Sequence, residues 1–329
     1  MFSFLLQPAN SVLLQSICKL FLISFLGYSA VRCKILSSQA VACLSKFVIA
    51  IALPCLIIST LGNDLEYSLL PQMALCLATA LGLNLLGFAL ALIGRKLIMS
   101  KDQPGYRLFL SLAAMQNSGY LPIPLVTAVL PKEQHATGLL FTFVYMLVMG
   151  FIFWSLGVWL IGRNNAPTGF KQNLRNMENP PMMAMLVCLL FLFPPVKSAF
   201  DALPLLQETL NIVGSTTIPL VLIVLGGSLA EKLPPLNTGR LMIAGASGLK
   251  LIVIPAMVLF AISMVRPDPV FAFVMMLQSS MPAAMNHIVV AQEYDGNVQL
   301  TSRALFVQYI LALFTVPFFL IIFNLIYSA

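Results

Sequence analysis

Charge is what this 329-residue chain has least of: 9% of its residues are Asp, Glu, Lys or Arg, while 60% are hydrophobic. A soluble domain of this size needs a charged surface to stay solvated, so the composition excludes one, and no charged segment is long enough to form one alongside. With a mean hydropathy of +0.95, the chain reads as an integral protein of the lipid bilayer. Its formal charge of +7 would suit nucleic acid, but the basic residues are scattered between apolar runs. They report membrane topology, and no nucleic-acid partner is indicated.

Further absences narrow the chemistry. No Asp or Glu falls at the centre of an apolar run, which removes the common carboxylate proton relay. GxxxxGK[ST], HExxH and Gly-x-Ser-x-Gly are all missing, so ATP-driven transport and hydrolysis by those routes are excluded. No acid/base or nucleophile constellation supports an enzyme. The six cysteines (Cys18, Cys33, Cys43, Cys55, Cys76, Cys188) show no CxxC spacing. Neither a metal site nor a disulfide framework is indicated, and they read as packing residues. No resident cofactor is implied. Residues 1–18 contain no Lys or Arg, whereas Arg32 and Lys34 follow the first apolar run. That is not a cleavable signal, and the first run is expected to be retained with its N-terminus outside.

What is present is a series of runs near the roughly 20 residues a membrane span requires. Ten spans are predicted: 11–31, 40–61, 71–98, 105–130, 136–162, 181–196, 205–230, 238–265, 269–291 and 300–327. The sixth is short and ends at Pro194-Pro195; the fourth and ninth are interrupted. Twelve basic residues fall on one side of this arrangement, against Lys132, Lys197 and Arg266 on the other. The richer side is cytoplasmic by the positive-inside rule, which puts both termini outside and makes 163–180 the main cytoplasmic loop.

Loop 163–180 is also a seam. Ala52-Leu53-Pro54 matches Thr217-Ile218-Pro219 at an offset of 165, Gln116 matches Gln278 at 162, and Phe141 matches Phe306 at 165. The expected organisation is two five-helix repeats, 1–162 and 181–329. An odd number of spans per repeat inverts the second relative to the first.

In the fourth span lies Gln116-Asn117-Ser118-Gly119-Tyr120-Leu121-Pro122-Ile123-Pro124. Two prolines remove backbone donors and Gly119 weakens the turn before them, so the helix should break at mid-depth. Backbone groups freed there need partners in protein or in a water-filled cavity. The ninth span carries its counterpart, Gln278-Ser279-Ser280-Met281-Pro282-Ala283-Ala284-Met285-Asn286-His287. Pro-interrupted segments at matching places in two halves point to a transporter's binding site. Ordinary proline kinks, with Ser and Gln satisfied between helices, are the other reading.

Three stretches resemble the auxin efflux carrier family: Asn117-Ser118-Gly119 leading to Ile123-Pro124-Leu125; Ile218-Pro219 through Leu225-Gly226-Gly227-Ser228-Leu229-Ala230-Glu231; and Met281-Pro282-Ala283-Ala284-Met285-Asn286 running to Glu293-Tyr294. Pro122 departs from the pattern, since relatives more often carry Gly there. The resemblance implies an all-α membrane protein similar to the bile acid/sodium symporters, with broken spans 4 and 9 crossing. It also implies a scaffold (11–61 and 181–230), in relatives a route to homodimers, and a transport domain (71–162 and 238–327). The implied activity is secondary transport of a small organic anion by alternating access, the cargo being malate, malonate or an auxin-like acid. The short central loop is more similar to prokaryotic-type members, which implies a bacterial inner (plasma) membrane. A ligand-binding sensor or regulatory module on a carrier fold is the alternative.

Helix halves restarting after Pro124 and Pro282 would turn free N–H groups and a positive dipole end toward a carboxylate. Asn117 is the first candidate ligand through the resemblance, with Asn286 beside it; a helix cap is its other reading. Gln116, Ser118, Gly119, Gln278, Ser279 and Ser280 could line the cavity or coordinate Na⁺ through oxygens. Lys250 lies ten residues beyond Arg240, about 15 Å into the membrane, where an isolated charge costs on the order of 3 kcal/mol. It reads as an anion attractor or proton-linked switch, or as a structural tether. His287 could relay protons or simply line the cavity. Coupling to H⁺, to Na⁺ or to neither stays open. Lys19 and Lys46 lie nearer span ends and are expected to snorkel. Tyr145 and Tyr309, at similar places in spans 5 and 10, could contact substrate, but aromatic packing is the expected role.

Overall fold

The computed structural model describes residues 8–99, 105–162, 180–230 and 239–328. Loop 163–180 falls almost wholly outside them. The described residues are helical, with one isolated antiparallel bridge as their only extended pairing. In chain order the helices are α1 (Pro8–Arg32), α2 (Ser38–Asp64), α3 (Tyr67–Ile98), α4 (Tyr106–Ala114), α5 (Pro122–Val129), α6 (Lys132–Ile161) and α7 (Pro180–Leu192). They continue as α8 (Pro194–Asp201), α9 (Pro204–Leu229), α10 (Arg240–Val265), α11 (Pro269–Ser280), α12 (Asn286–Glu293) and α13 (Val298–Ser328). Among the described residues, seven helices are long and apolar enough to cross a membrane, or eight if α7 and α8 count as one span bent by 106°. The expected fourth and ninth spans are the pairs α4/α5 and α11/α12, each broken in the middle.

Proline and glycine set many of these boundaries. Pro122, Pro194, Pro204 and Pro269 each open a helix, where a missing N–H leaves no bond unmade. Asp268 caps α11, its carboxylate accepting from Val270 and Phe271 N–H at 3.0 Å each. α2, α6 and α10 each contain a π-helical turn, at Val48–Ala52, Phe153–Gly157 and Leu249–Val253.

Two packing groups result. α1, α2, α7 and α9 pack together, as do α3, α4, α6, α10, α11 and α13. The first group rests on glycines that let backbones touch. A Cβ on Gly226 would lie 1.7 Å from Ser24 O, one on Gly27 2.2 Å from Ile223 O, and one on Gly214 2.7 Å from Leu56 N. Between the groups, α1 meets α5 and α13, while α2 and α7 meet α6. Cys76 and Cys188 are buried as packing residues, their thiols donating to Phe141 O and Ile57 O; Cys18, Cys33 and Cys43 are instead exposed.

Candidate functional site

The two helix breaks satisfy each other. Gln116 pairs with Ala283 in the isolated bridge, Asn117 N–H donates to Pro282 O at 2.8 Å, and Ala284 N–H donates to Met115 O at 3.2 Å. Backbone that proline and polar residues release from two helices is thus re-paired across the crossing, as an interior without water demands. A third helix completes the pairing. Gln308 of α13, fully buried, accepts from Ala283 N–H at 2.8 Å and donates to Leu112 O at 3.2 Å. Sequence reasoning missed Gln308; the available signal was a lone amide inside an otherwise apolar run.

Asn117 holds the first break. Its Oδ1 accepts from Tyr120 N–H at 3.0 Å and from Gly119 N–H at 3.3 Å, and its Nδ2 donates to the Tyr309 hydroxyl at 2.6 Å. These bonds close a turn over Gly119 and Tyr120 ahead of α5, whose N-cap is Leu121 without a side-chain bond, so the anticipated helix cap is not what forms; Asn117 also lines a cavity. The expected restart of the helix after Pro124 is not what forms. α5 begins at Pro122, which suits a first helical position, so Pro124 sits within the first turn. Neither proline has an N–H, and the amides of Ile123 and Leu125 are bonded to Gly119 O and Leu121 O. The start of α5 therefore offers fewer free donors than expected. α12 restarts at Asn286, four residues past Pro282, with His287 and Ile288 N–H bonded to Ala284 O and Met285 O.

Behind the crossing is a second polar cluster. Lys250 Nζ donates to Gln116 Oε1 at 3.0 Å, Gln116 Nε2 donates to the Tyr145 hydroxyl, and Asn84 Nδ2 reaches the same hydroxyl at 3.4 Å. Lys250 is 1% exposed and bonds to an amide, not a carboxylate. Tyr145 and Tyr309, read as packing rings, use their hydroxyls as acceptors at the two polar clusters.

Other sequence-selected residues stand outside the cavity lining. Gln278 donates to Ser118 O at 3.1 Å while its Oε1 has no partner among the described residues. The hydroxyls of Ser279 and Ser280 turn back to Met276 O, both at 2.8 Å. Pro124 and Pro282 shape the breaks without lining the cavity. His287 is fully buried, donating through Nδ1 to Ala284 O at 2.7 Å and meeting Phe153 edge-on.

The cavity has a volume of about 630 Å³ and lies between the two packing groups. Its lining runs from Ser38, Pro181 and Gln292, near helix ends, to Gln116, Asn117, Ser118 and Gly119 at the crossing. Asn286 lines it from the second break. Five methionines supply much of the wall: Met146, Met149, Met182, Met185 and Met285. Phe153 and Trp154 add aromatic surface, and Lys46 is the only charged residue among the described ones that line it. At the boundary between groups, Ser45 Oγ and the Tyr120 hydroxyl are 3.0 Å apart. Among the described residues, no cluster of three His, Cys, Asp or Glu side chains could hold a metal ion.

Comparison with known proteins gives the family of the chain. The family described as membrane transport protein matches residues 12–320. The chain belongs to this family, that of the auxin efflux carriers. A relative similar along most of its length is an uncharacterized transporter of Methanothermobacter thermautotrophicus, 27% identical over 309 residues, covering 92% of this chain and 96% of that one. A second uncharacterized transporter, from Methanocaldococcus jannaschii, is 25% identical over 288 residues, with 85% and 89% covered. Protein PIN-LIKES 2 of Arabidopsis thaliana is 33% identical over 165 residues, 46% of this chain but only 35% of the plant protein. The auxin efflux carriers are membrane transporters and not an enzyme family, and the chain is an integral membrane protein of this family.

Proposed function

We propose that this auxin efflux carrier family member is a secondary transporter of a small organic anion, a carboxylate, working by alternating access. The single observation that carries the proposal is the cavity between two helix groups, which ends on paired helix breaks and the amide of Asn117. The group α1, α2, α7 and α9 acts as scaffold, and the remaining helices carry the crossing past it. Counting the broken pairs as spans 4 and 9 and the bent pair as span 6, the chain forms ten spans in two inverted repeats, 1–162 and 181–329. Both termini face outside and 163–180 faces the cytoplasm of a bacterial inner membrane. Asn117 presents the substrate contact, Asn286 faces the same cavity, and Lys250 supports Gln116 from behind. Scaffold helices provide the route to a homodimer.

Purified protein in liposomes should take up a radiolabelled carboxylate with saturation, and uptake should respond to an imposed H⁺ or Na⁺ gradient if either ion is coupled. Asn117→Ala should lower uptake by about tenfold or more, the loss of a hydrogen bond to a charged group. Uptake unchanged by that substitution would remove Asn117 from the site. Specific binding without any flux would make the protein a sensor on a carrier fold.

A further inference from the structure

A second cavity, of about 380 Å³, lies between α10 and α13 and shares no lining residue with the chamber at the crossing. The two helices start side by side, since a Cβ on Gly239 would lie 2.4 Å from the Leu300 side chain. Arg240, the first residue of α10, and Arg303, in the second turn of α13, line one end. Ile252 and Thr315, each twelve residues further on, line the other. Twelve helical residues rise about 18 Å, comparable with the ~15 Å of hydrocarbon in one leaflet.

The groove changes chemistry along its length. Its first end is cationic, and no acid stands among its described lining residues. Each guanidinium has five donors in a fork that suits phosphate, so bonds made within the chain leave others for a ligand. Seven residues in from Arg240 is Ser247, 2% exposed, whose buried hydroxyl has no partner among the described residues; the Thr315 hydroxyl has none either. A helical serine ordinarily bonds the carbonyl of its preceding turn, so an unmet donor facing a groove suits a ligand oxygen. Beyond Ser247 the walls are Leu251, Ile252, Val307 and Leu311. Ile252 and Leu311 are exposed, so the groove opens outward from the helix bundle. There is room in it: Gly248 lines the groove, and a Cβ there meets nothing within 4 Å.

We propose that this groove binds an anionic phospholipid from the leaflet at which α10 and α13 begin, cytoplasmic in the topology given above. Arg240 and Arg303 take the phosphate, Ser247 donates to an ester carbonyl, and an acyl chain lies over Gly248 along the apolar wall. A zwitterionic lipid gains less, because its ammonium offsets the charge that the arginines attract. Leu251 and Ile252 belong to the π-helical turn that carries Lys250. The lipid therefore packs against the segment that supports the crossing from behind.

Native mass spectrometry of delipidated protein in detergent, titrated with phosphatidylglycerol or phosphatidylcholine of identical chains, reads the binding. Wild type should bind the first phosphatidylglycerol at least about tenfold more tightly, the scale of two arginine contacts to an anionic headgroup. Arg240 is exposed, so Arg240→Gln should fold and lower that ratio about fivefold. Gly248→Leu places its side chain in open space, so it should keep the melting temperature of the lipid-free protein and lose the tight binding event. Equal affinity of wild type for the two lipids overturns the proposal, as does a folded Gly248→Leu protein that binds phosphatidylglycerol like wild type. Glycerol 3-phosphate binding as tightly as the lipid would leave no role for the acyl chain and overturns it too. A dimer that Gly248→Leu dissociates, with lipid binding unchanged, would assign the groove to a second copy of the chain instead.

Discussion

Asn117 Nδ2 and the Tyr309 hydroxyl, 192 residues apart in sequence, meet at 2.6 Å and join the first helix break to the middle of α13. Tyr309→Phe removes the acceptor while keeping the ring, and leaves a buried amide donor unmatched. The expected destabilisation is about 1–3 kcal/mol, seen as a lowered melting temperature of the detergent-solubilised protein. An unchanged melting temperature would show that this bond does not hold the break.

Gln308 serves two backbone groups at once, Ala283 N–H and Leu112 O. Gln308→Leu should lose stability from both, about 2–4 kcal/mol in total, because each becomes a buried group without a partner. Thermal unfolding measures it, and a loss below about 1 kcal/mol would contradict the staple role.

The breaks were legible in the sequence because proline and clustered polar residues are chemically loud within an apolar run. Pro122, Pro124 and Pro282 mark them, and Gln116 lies in the bridge between them, whereas Gln278, expected in the cavity, bonds Ser118 O outside its lining. Gln308 was not seen, since one amide within the apolar run 304–314 of α13 leaves the hydrophobic pattern intact. Ser280 was read as a cavity residue, but a helical serine readily bonds its own preceding turn, as its contact with Met276 O shows. The facing of Lys46 was also hidden. Its distance from the span end suggested snorkelling, and only the packing of α2 beside α6 and α9 shows which wall it lines.

Lys250 and Gln116 form a buried pair whose members depend on each other. Gln116→Leu strands the amine and should destabilise by about 3 kcal/mol or more. The double variant Gln116→Leu/Lys250→Met replaces both by apolar groups and should recover most of that loss. A double variant no more stable than Gln116→Leu alone, by thermal unfolding, would show that the pair is not coupled.

Close helix contact in the first packing group depends on Gly27, Gly214 and Gly226. Gly226→Ala drives a Cβ to 1.7 Å from Ser24 O, whereas a Cβ at Gly82 meets nothing within 4 Å. Gly226→Ala should therefore cost several kcal/mol through backbone displacement, while Gly82→Ala should be neutral or stabilising by about 1 kcal/mol in a helix. Size-exclusion profiles and melting curves separate the two, and equal behaviour would count against the packing described.

Cys43 is exposed and lines the cavity. In a variant retaining Cys43 as the sole cysteine, a charged thiol reagent should modify it, and phenylacetate should slow the reaction about tenfold when the site is nearly saturated. In sided vesicles the reagent should reach it from the cytoplasmic face. A rate indifferent to ligand would separate Cys43 from the binding chamber.

Solute counterflow tests the transport claim most directly. Liposomes containing the protein are preloaded with unlabelled phenylacetate and diluted into a trace of labelled phenylacetate. Wild-type protein should give a transient accumulation of label above the equilibrium level, and Asn117→Ala should abolish it. Binding without accumulation, or accumulation identical in the Asn117→Ala protein, would contradict a carrier that alternates around this crossing.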